Sequence, residues 1–473
     1  MLNNLFLITI IFLAFIIKLI FAHNYPIITG DWASYDTIAN NIINGCGVSL
    51  SLEGDPCIKH FGGNQGPGYP FFISIIYFVL GKNTFNIIIV QNIILALSQL
   101  YLLSQLKKKI YDEKFFIFAI LIICFSPLVF AWSRFLLTEP IIISITYFLI
   151  GYLINKKKNI LFLGLILSIG TYIRLDFIFI SILIFYLILI EDKNKNKSLI
   201  LKKFLQIILI VVVTWTPWLT RNYYAGIDIF PTGYPQKANF YYPKGFIKWT
   251  STWVFNSYQR AGTVNQIMSN LYSEIDLGNK YYFRNENEKK QIDKLLSELK
   301  SYDNESFPIE IDEKFNKIAL EFIKNNKISY YIYLPSRRLV NIIFNFTNSN
   351  GWPIEFGNLF SQEDMVKISE LTIFEKALFA IKNPNKKIFY KITINSYKIF
   401  VLIIFLGLLI YKHKISVNNL YIGIFFYFIS KLIFMITFNY TEIRYLITCL
   451  ALIDVAIILK LEYFFKNKKK TNY

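Results

Sequence analysis

"LFLITIIFLAFIIKLIFA", residues 5–22, is almost unbroken in its apolar side chains, and soon after it the chain reads "GDWASYDTIANNIINGCGVSL", residues 30–50. An apolar helix of that length covers roughly 27 Å, close to the ~30 Å hydrocarbon core of a bilayer. The run carries neither a basic leader nor a small-residue cleavage site, so it is expected to stay in place as a span rather than leave as a signal peptide. Asp31 and Asp36 then stand directly at a membrane face. Carboxylates at that place need a reason.

The whole chain supports the membrane reading. Of 473 residues, 54% are hydrophobic and 18% aromatic, with a mean hydropathy of +0.42, too apolar for a soluble chain of this length. Runs able to cross a bilayer, or nearly so, fall at 5–22, 84–106, 115–132, 135–154, 160–173, 176–190, 200–218, 395–411, 418–438 and 445–465. The expectation is an all-α integral membrane protein with about ten transmembrane helices. "GYPFFISIIYFVLG", residues 68–81, is shorter and is expected to lie in the interface instead.

Charge settles the orientation. The formal net charge of +19 comes from lysine clusters between the apolar runs, which topology explains better than nucleic-acid binding does. With 68–81 left out of the count, 18 Lys and Arg fall on one side, against Arg134, Arg174 and Arg444 in the short opposite loops. The lysine-rich side, with both termini, is therefore expected in the cytoplasm of a multi-pass plasma membrane. Residues 23–83 and 219–394 face outward. The expected division is a transmembrane module over 1–220, an extracytoplasmic segment over 221–394 and C-terminal transmembrane helices over 395–473.

Within the opening stretch, Tyr35, Ile38, Ala39 and Ile42 mark one apolar stripe of a short surface helix ending at Gly45. Asp31 before it reads locally as a helix N-cap. Glu139, followed by Pro140, reads locally as an ordinary helix start. Arg174, Arg221 and Arg444 stand at the outer ends of spans, where each can snorkel or pair with Asp176, Asp228 or Glu442. Lys18, Lys431 and Asp454 lie inside spans; Lys18 is expected to snorkel outward and the other two to pair.

Six motifs in order change the weight of these readings: "DWASYDTIANNIINGCG", "GPGYPFFISII", "LLTEP", "YIRLD", "PWLTRNYYAG" and "TEIRYLI". Their order and membrane positions resemble GT-C glycosyltransferases, in the glycosyltransferase family 39-like branch similar to bacterial protein O-mannosyltransferases and the aminoarabinose transferase of lipid A. The resemblance covers residues 1 to 235 and, less fully, the last spans. It implies transfer of a hexose or pentose from a polyprenyl-phosphate donor to a protein, lipid or glycan acceptor on the extracytoplasmic side. Asp31 is by resemblance the base that takes the acceptor proton. Glu139 is a second catalytic candidate, and Asp36, about 140° around a helix from Asp31, a weaker one.

A departing lipid phosphate is best held by guanidinium. Arg444 is the first choice, with Arg174 and Arg221 as alternatives. Relatives carry a basic residue before the "PGYP" turn, where this chain has Gln65, so Lys59 or His60 is named as a stand-in. No cofactor is assigned; a divalent metal at the first loop is known in some relatives, and its presence here stays open. Cys46 and Cys57 share the first outer loop, in a compartment that permits disulfides, and are expected to be bonded. No Walker loop, dinucleotide fingerprint or zinc spacing occurs. The competing readings are a non-enzymatic carrier or flippase of lipid-linked saccharide and an O-antigen polymerase or ligase.

Overall fold

The computed structural model describes residues 4–471 apart from 26–29, 52–65, 111, 155–158, 192–196, 226–241, 269, 276, 278–284, 304, 345–370, 383–385, 411–415 and 439–442. Every regular element among the described residues is helical, as expected for a bilayer, where a helix satisfies all its backbone groups within one segment.

The N-terminal part comprises α1 (Asn4–Asn24), α2 (Gly30–Ile43), α3 (Gly68–Leu80), α4 (Thr84–Lys107), α5 (Glu113–Phe125), α6 (Pro127–Trp132), α7 (Glu139–Leu153), α8 (Ile160–Ile173), α9 (Ile180–Glu191) and α10 (Lys197–Tyr224). By length and composition, Asn4–Asn24, Thr84–Lys107, Glu113–Trp132, Lys197–Tyr224 and Asn419–Thr437 are apolar enough to cross a membrane; Gly68–Leu80, Glu139–Leu153, Ile160–Ile173 and Thr393–Leu409 are shorter apolar helices. The chain is thus a multi-pass membrane protein. Little of α10 is buried, and Leu201, Leu205, Leu209 and Val213 are exposed along it. Such a surface is at home in lipid and a liability in water.

Several expected spans depart from continuous helix. The run 115–132 breaks at Ser126, whose φ of −46° and ψ of 122° precede Pro127; proline pushes the residue before it out of the helical region. The run 176–190 begins as a 3-10 turn, Leu175–Phe179, and turns α-helical only at Ile180. This places Asp176 in the turn rather than on a regular helix. Lys18 does not snorkel as expected: it is 2% exposed and donates to Gln99 Oε1 of α4 at 3.1 Å. Asp454 accepts from Ser126 Oγ at 2.7 Å and Tyr397 Oη at 3.0 Å.

Beyond α10 lies a second group of helices, α11 (Lys244–Ser251), α12 (Glu286–Lys300) and α13 (Ile309–Asn325), followed by α14 (Leu334–Phe344), which packs on the bundle, and α15 (Ile373–Lys382). The core of this second group is separate from that of the bundle and is built on Phe246, Trp249, Ile292, Leu299, Phe307 and Phe315. The Asp312 carboxylate accepts from the backbone N–H groups of Gly245 and Phe246 at 2.9 and 2.8 Å, satisfying the orphan donors at the start of α11. A Cβ on Gly245 would come within 2.0 Å of the Asp312 carbonyl oxygen, so only glycine allows this approach of α11 to α13. The chain ends in α16 (Lys386–Ile410), α17 (Ser416–Thr437) and α18 (Ile447–Thr471), which pack on α7 and α9. The N-terminal and C-terminal spans therefore share one core.

Candidate active site

Four stretches distant in sequence meet at one end of this bundle. The first is the start of α2, where Asp31 lies in the first turn. Its carboxylate does not cap the helix; Oδ2 accepts from Arg444 Nη1 at 2.5 Å, and the side chain is 45% exposed. Behind it, Tyr35 packs edge-on against Tyr69 of α3, with ring centroids 5.0 Å apart. Burial, reinforced by the Asp31 and Glu139 carboxylates, pushes the Tyr35 phenol up. It stays a neutral hydroxyl beside the site.

The second stretch is the irregular segment 133–138 ahead of α7. Backbone without helical partners is tolerated at membrane depth only where other groups satisfy it. Gln91 and Asn92 of α4 do so, donating to the carbonyls of Phe135 and Ser133 at 3.0 and 2.9 Å, while Tyr69 Oη donates to Gln91 Oε1 at 2.6 Å. This framework delivers Glu139, 1% exposed, to the site.

Arg174 brings the third stretch. It caps α8 in an extended conformation, φ −153° and ψ 111°, which turns its side chain off the helix. Nη1 pairs with Glu139 Oε1 and lies 3.2 Å from Thr138 Oγ1, and Nε donates to Asp176 Oδ1 at 2.9 Å. Nη2 has no partner among the described residues. Burial alone would lower the affinity of Arg174 for its proton, but the Asp176 and Glu139 carboxylates outweigh it and hold the guanidinium charged. Gly68 lies against the same corner. A Cβ there would sit 2.7 Å from the Tyr172 carbonyl carbon, so the "GPGYP" turn rests on the end of α8.

The last stretch is C-terminal. Lys431 of α17 donates to Asp176 Oδ2 at 2.6 Å with 2% and 8% of the two side chains exposed. Arg444 sits in a 3-10 turn, Ile443–Leu446, just before α18. The Tyr445 ring lies under both guanidinium groups, 4.6 Å from that of Arg174 and 5.4 Å from that of Arg444. A ring face attracts cations and holds them near one another.

Glu139, Arg174, Asp176, Lys431, Arg444 and Thr448 line a narrow pocket, closed on its apolar side by Ile142, Phe177 and Ile447. With Asp31 at its rim, three cations face three carboxylates. The cluster is internally neutral, and an arriving anion competes with carboxylates for the arginines.

Other candidates fall elsewhere. Asp36 accepts from Tyr77 Oη at 2.5 Å and ties α2 to α3. Arg221 donates to the Val48 carbonyl at 2.9 Å and to Asn222 Oδ1 at 3.0 Å, over the Trp218 ring; it anchors the chain after α2 and does not line the pocket. Lys59, His60, Gln65, Asp228 and Glu442 lie outside the described residues. Cys46 is disulfide-bonded; Cys57 lies outside the described residues, and Cys124 and Cys449 are buried free thiols. No group of three or more His, Cys, Asp or Glu that could hold a metal ion gathers among the described residues. Sequence reasoning passed over Asp176 and Lys431 as site residues; the signal was a charge inside an apolar run.

Residues 64–218 match the family model described as dolichyl-phosphate-mannose-protein mannosyltransferase. A search of curated proteins found no match. Among solved structures, the archaeal oligosaccharyltransferase AglB from Archaeoglobus fulgidus, in complex with an inhibitory peptide and a dolichol-phosphate, is similar at 10% identity and a TM-score of 0.43, over 98% of this chain and 50% of that one. The chain spans half the length of that protein. Over residues 64–218 the chain is thus similar to dolichyl-phosphate-mannose-protein mannosyltransferases, which bears out the resemblance to GT-C superfamily glycosyltransferases read from the six motifs.

Proposed function

We propose that the protein is a membrane glycosyltransferase that moves a sugar from a polyprenyl-phosphate donor to a hydroxyl of a protein, lipid or glycan acceptor at the extracytoplasmic face, with both termini in the cytoplasm. The observation that carries this reading is the meeting of Asp31, Glu139, Arg174 and Arg444, from four separate stretches, around one pocket. The family match over 64–218, which contains Glu139 and Arg174, supports the lipid-phosphate donor.

The chemistry runs as a single displacement. The bond between the sugar's anomeric carbon and the phosphate oxygen breaks as the acceptor oxygen attacks, and the acceptor proton passes to Asp31. The lipid phosphate leaves with the bonding electron pair, and its charge is taken up by guanidinium groups already charged and fixed in place. Arg174 is the prepared one: two of its nitrogens are held by carboxylates and the third is available. Arg444 is paired with Asp31. A phosphate that draws Arg444 to itself releases the base, so donor binding precedes acceptor activation.

The test is to reconstitute purified protein in vesicles with a radiolabelled polyprenyl-phosphate sugar and an extract of candidate acceptors. Formation of free polyprenyl phosphate together with labelled acceptor is expected. Movement of the intact donor between leaflets with no release would favour the carrier reading instead.

A further inference from the structure

Lys431 stands in the interior of α17 with 2% of its side chain exposed. An ammonium at such a site is costly and persists where it serves a purpose. Its two hydrogen bonds both go to Asp176, to Oδ2 at 2.6 Å and to the carbonyl oxygen at 3.3 Å. The other oxygen of that carboxylate accepts from Arg174 Nε at 2.9 Å. A line of alternating charge, Lys431 to Asp176 to Arg174 to Glu139, therefore crosses from α17 to α7.

The geometry of this line has a mechanical meaning. A guanidinium on a long side chain has many rotamers, and one held only through Nη1 by Glu139 can swing about that contact. The second hold, through Nε on Asp176, fixes its plane. Asp176 can provide that hold only if its own carboxylate is fixed, and in the 3-10 turn Leu175–Phe179 the side-chain groups that fix it are Arg174 itself and Lys431. Without Lys431 the Asp176 carboxylate would be free to turn with Arg174.

We propose that Lys431 is a positioning residue: acting through Asp176, it holds the Arg174 guanidinium in the orientation that receives the donor phosphate, and it does so from the C-terminal spans, outside the stretch that matches the family model. This inference rests on the donor-binding reading of the pocket given above.

The test is a double-mutant cycle on the full-length protein in vesicles, reading the KM for the polyprenyl-phosphate sugar, the KM for the acceptor and kcat. Lys431→Met is expected to raise the donor KM about tenfold, within the range of coupling inside one salt-bridge network, with the acceptor KM unchanged. Lys431→Arg, which can still reach Asp176, should restore most of the loss. In an Arg174→Ala background Lys431→Met should add nothing, because the group being positioned is gone. Should Lys431→Met fail to fold, the pair Lys431→Met with Asp176→Asn removes both charges together and is expected to raise the donor KM likewise. An Arg174→Ala effect on donor KM without a Lys431 effect overturns the positioning role and leaves the pocket reading standing. Full additivity of the two also overturns it, since Lys431 would then act on its own. If neither variant moves the donor KM, the pocket reading fails and the positioning role with it.

Discussion

Arg174 and Arg338 are both buried, and they are satisfied in opposite ways. Arg338, in α14, spends its guanidinium on backbone: Nε donates to the Val254 carbonyl at 2.9 Å, Nη2 to that of Ser251 at 2.6 Å and Nη1 to that of Ile436 at 2.8 Å. No carboxylate pairs with it among the described residues, and burial pushes it down to about 10. Arg174 meets two carboxylates, which push it the other way, and keeps one nitrogen without a partner among the described residues. Three carbonyls saturate a cation and lock two parts of a fold together. Two carboxylates and an open nitrogen keep a cation charged and able to take another anion. The comparison separates an arginine that joins elements from one that, under the proposed function, binds the donor.

Replacing both with alanine sharpens that contrast most. Arg338→Ala leaves three carbonyls buried and unpaired, at a cost of about 3 kcal/mol. We expect a clearly lower Tm for the protein in detergent, with donor KM unchanged in the fraction that folds. Arg174→Ala should do the reverse, shifting donor dependence by about 2 kcal/mol with a smaller change in Tm. Equal loss of stability in both, with donor dependence untouched, would erase the distinction.

A smaller effect is expected from Arg444→Lys, which keeps the charge and loses the fork. Donor use should weaken by about 1 to 3 kcal/mol, seen in a titration of the donor and not of the acceptor. Least of all, Asp312→Ala removes the carboxylate that caps α11. It should cost about 1 kcal/mol of stability, read as a small fall in Tm at unchanged turnover. A carboxylate that caps a helix and one that serves as base would then be told apart by what their loss changes.

Much of this arrangement was legible in the sequence because the bilayer reads simply. Long apolar runs gave the helices, and the acidic first loop, "LLTEP", "YIRLD" and "TEIRYLI" named Asp31, Glu139, Arg174 and Arg444, which meet in the structure. The rest depended on contacts between distant segments. Nothing local to Arg221 says that the Val48 carbonyl will take its guanidinium. Nothing near Lys18 announces the amide of Gln99 across the bundle. Asp176 looked like a plain partner for Arg174, since its other partner, Lys431, comes from α17. Arg444 was chosen because Glu442, two residues away, would point elsewhere on a helix; the carboxylate that meets it is Asp31 of the first loop.

The central claim, that Asp31 takes the acceptor proton at a donor site made by the arginines, is tested most directly by steady-state turnover of Asp31→Asn in vesicles. Asparagine keeps the size and an oxygen acceptor and removes the base. The account predicts a fall in sugar transfer of about 10² or more, at normal expression and with donor binding retained. Near-full transfer by Asp31→Asn would contradict it.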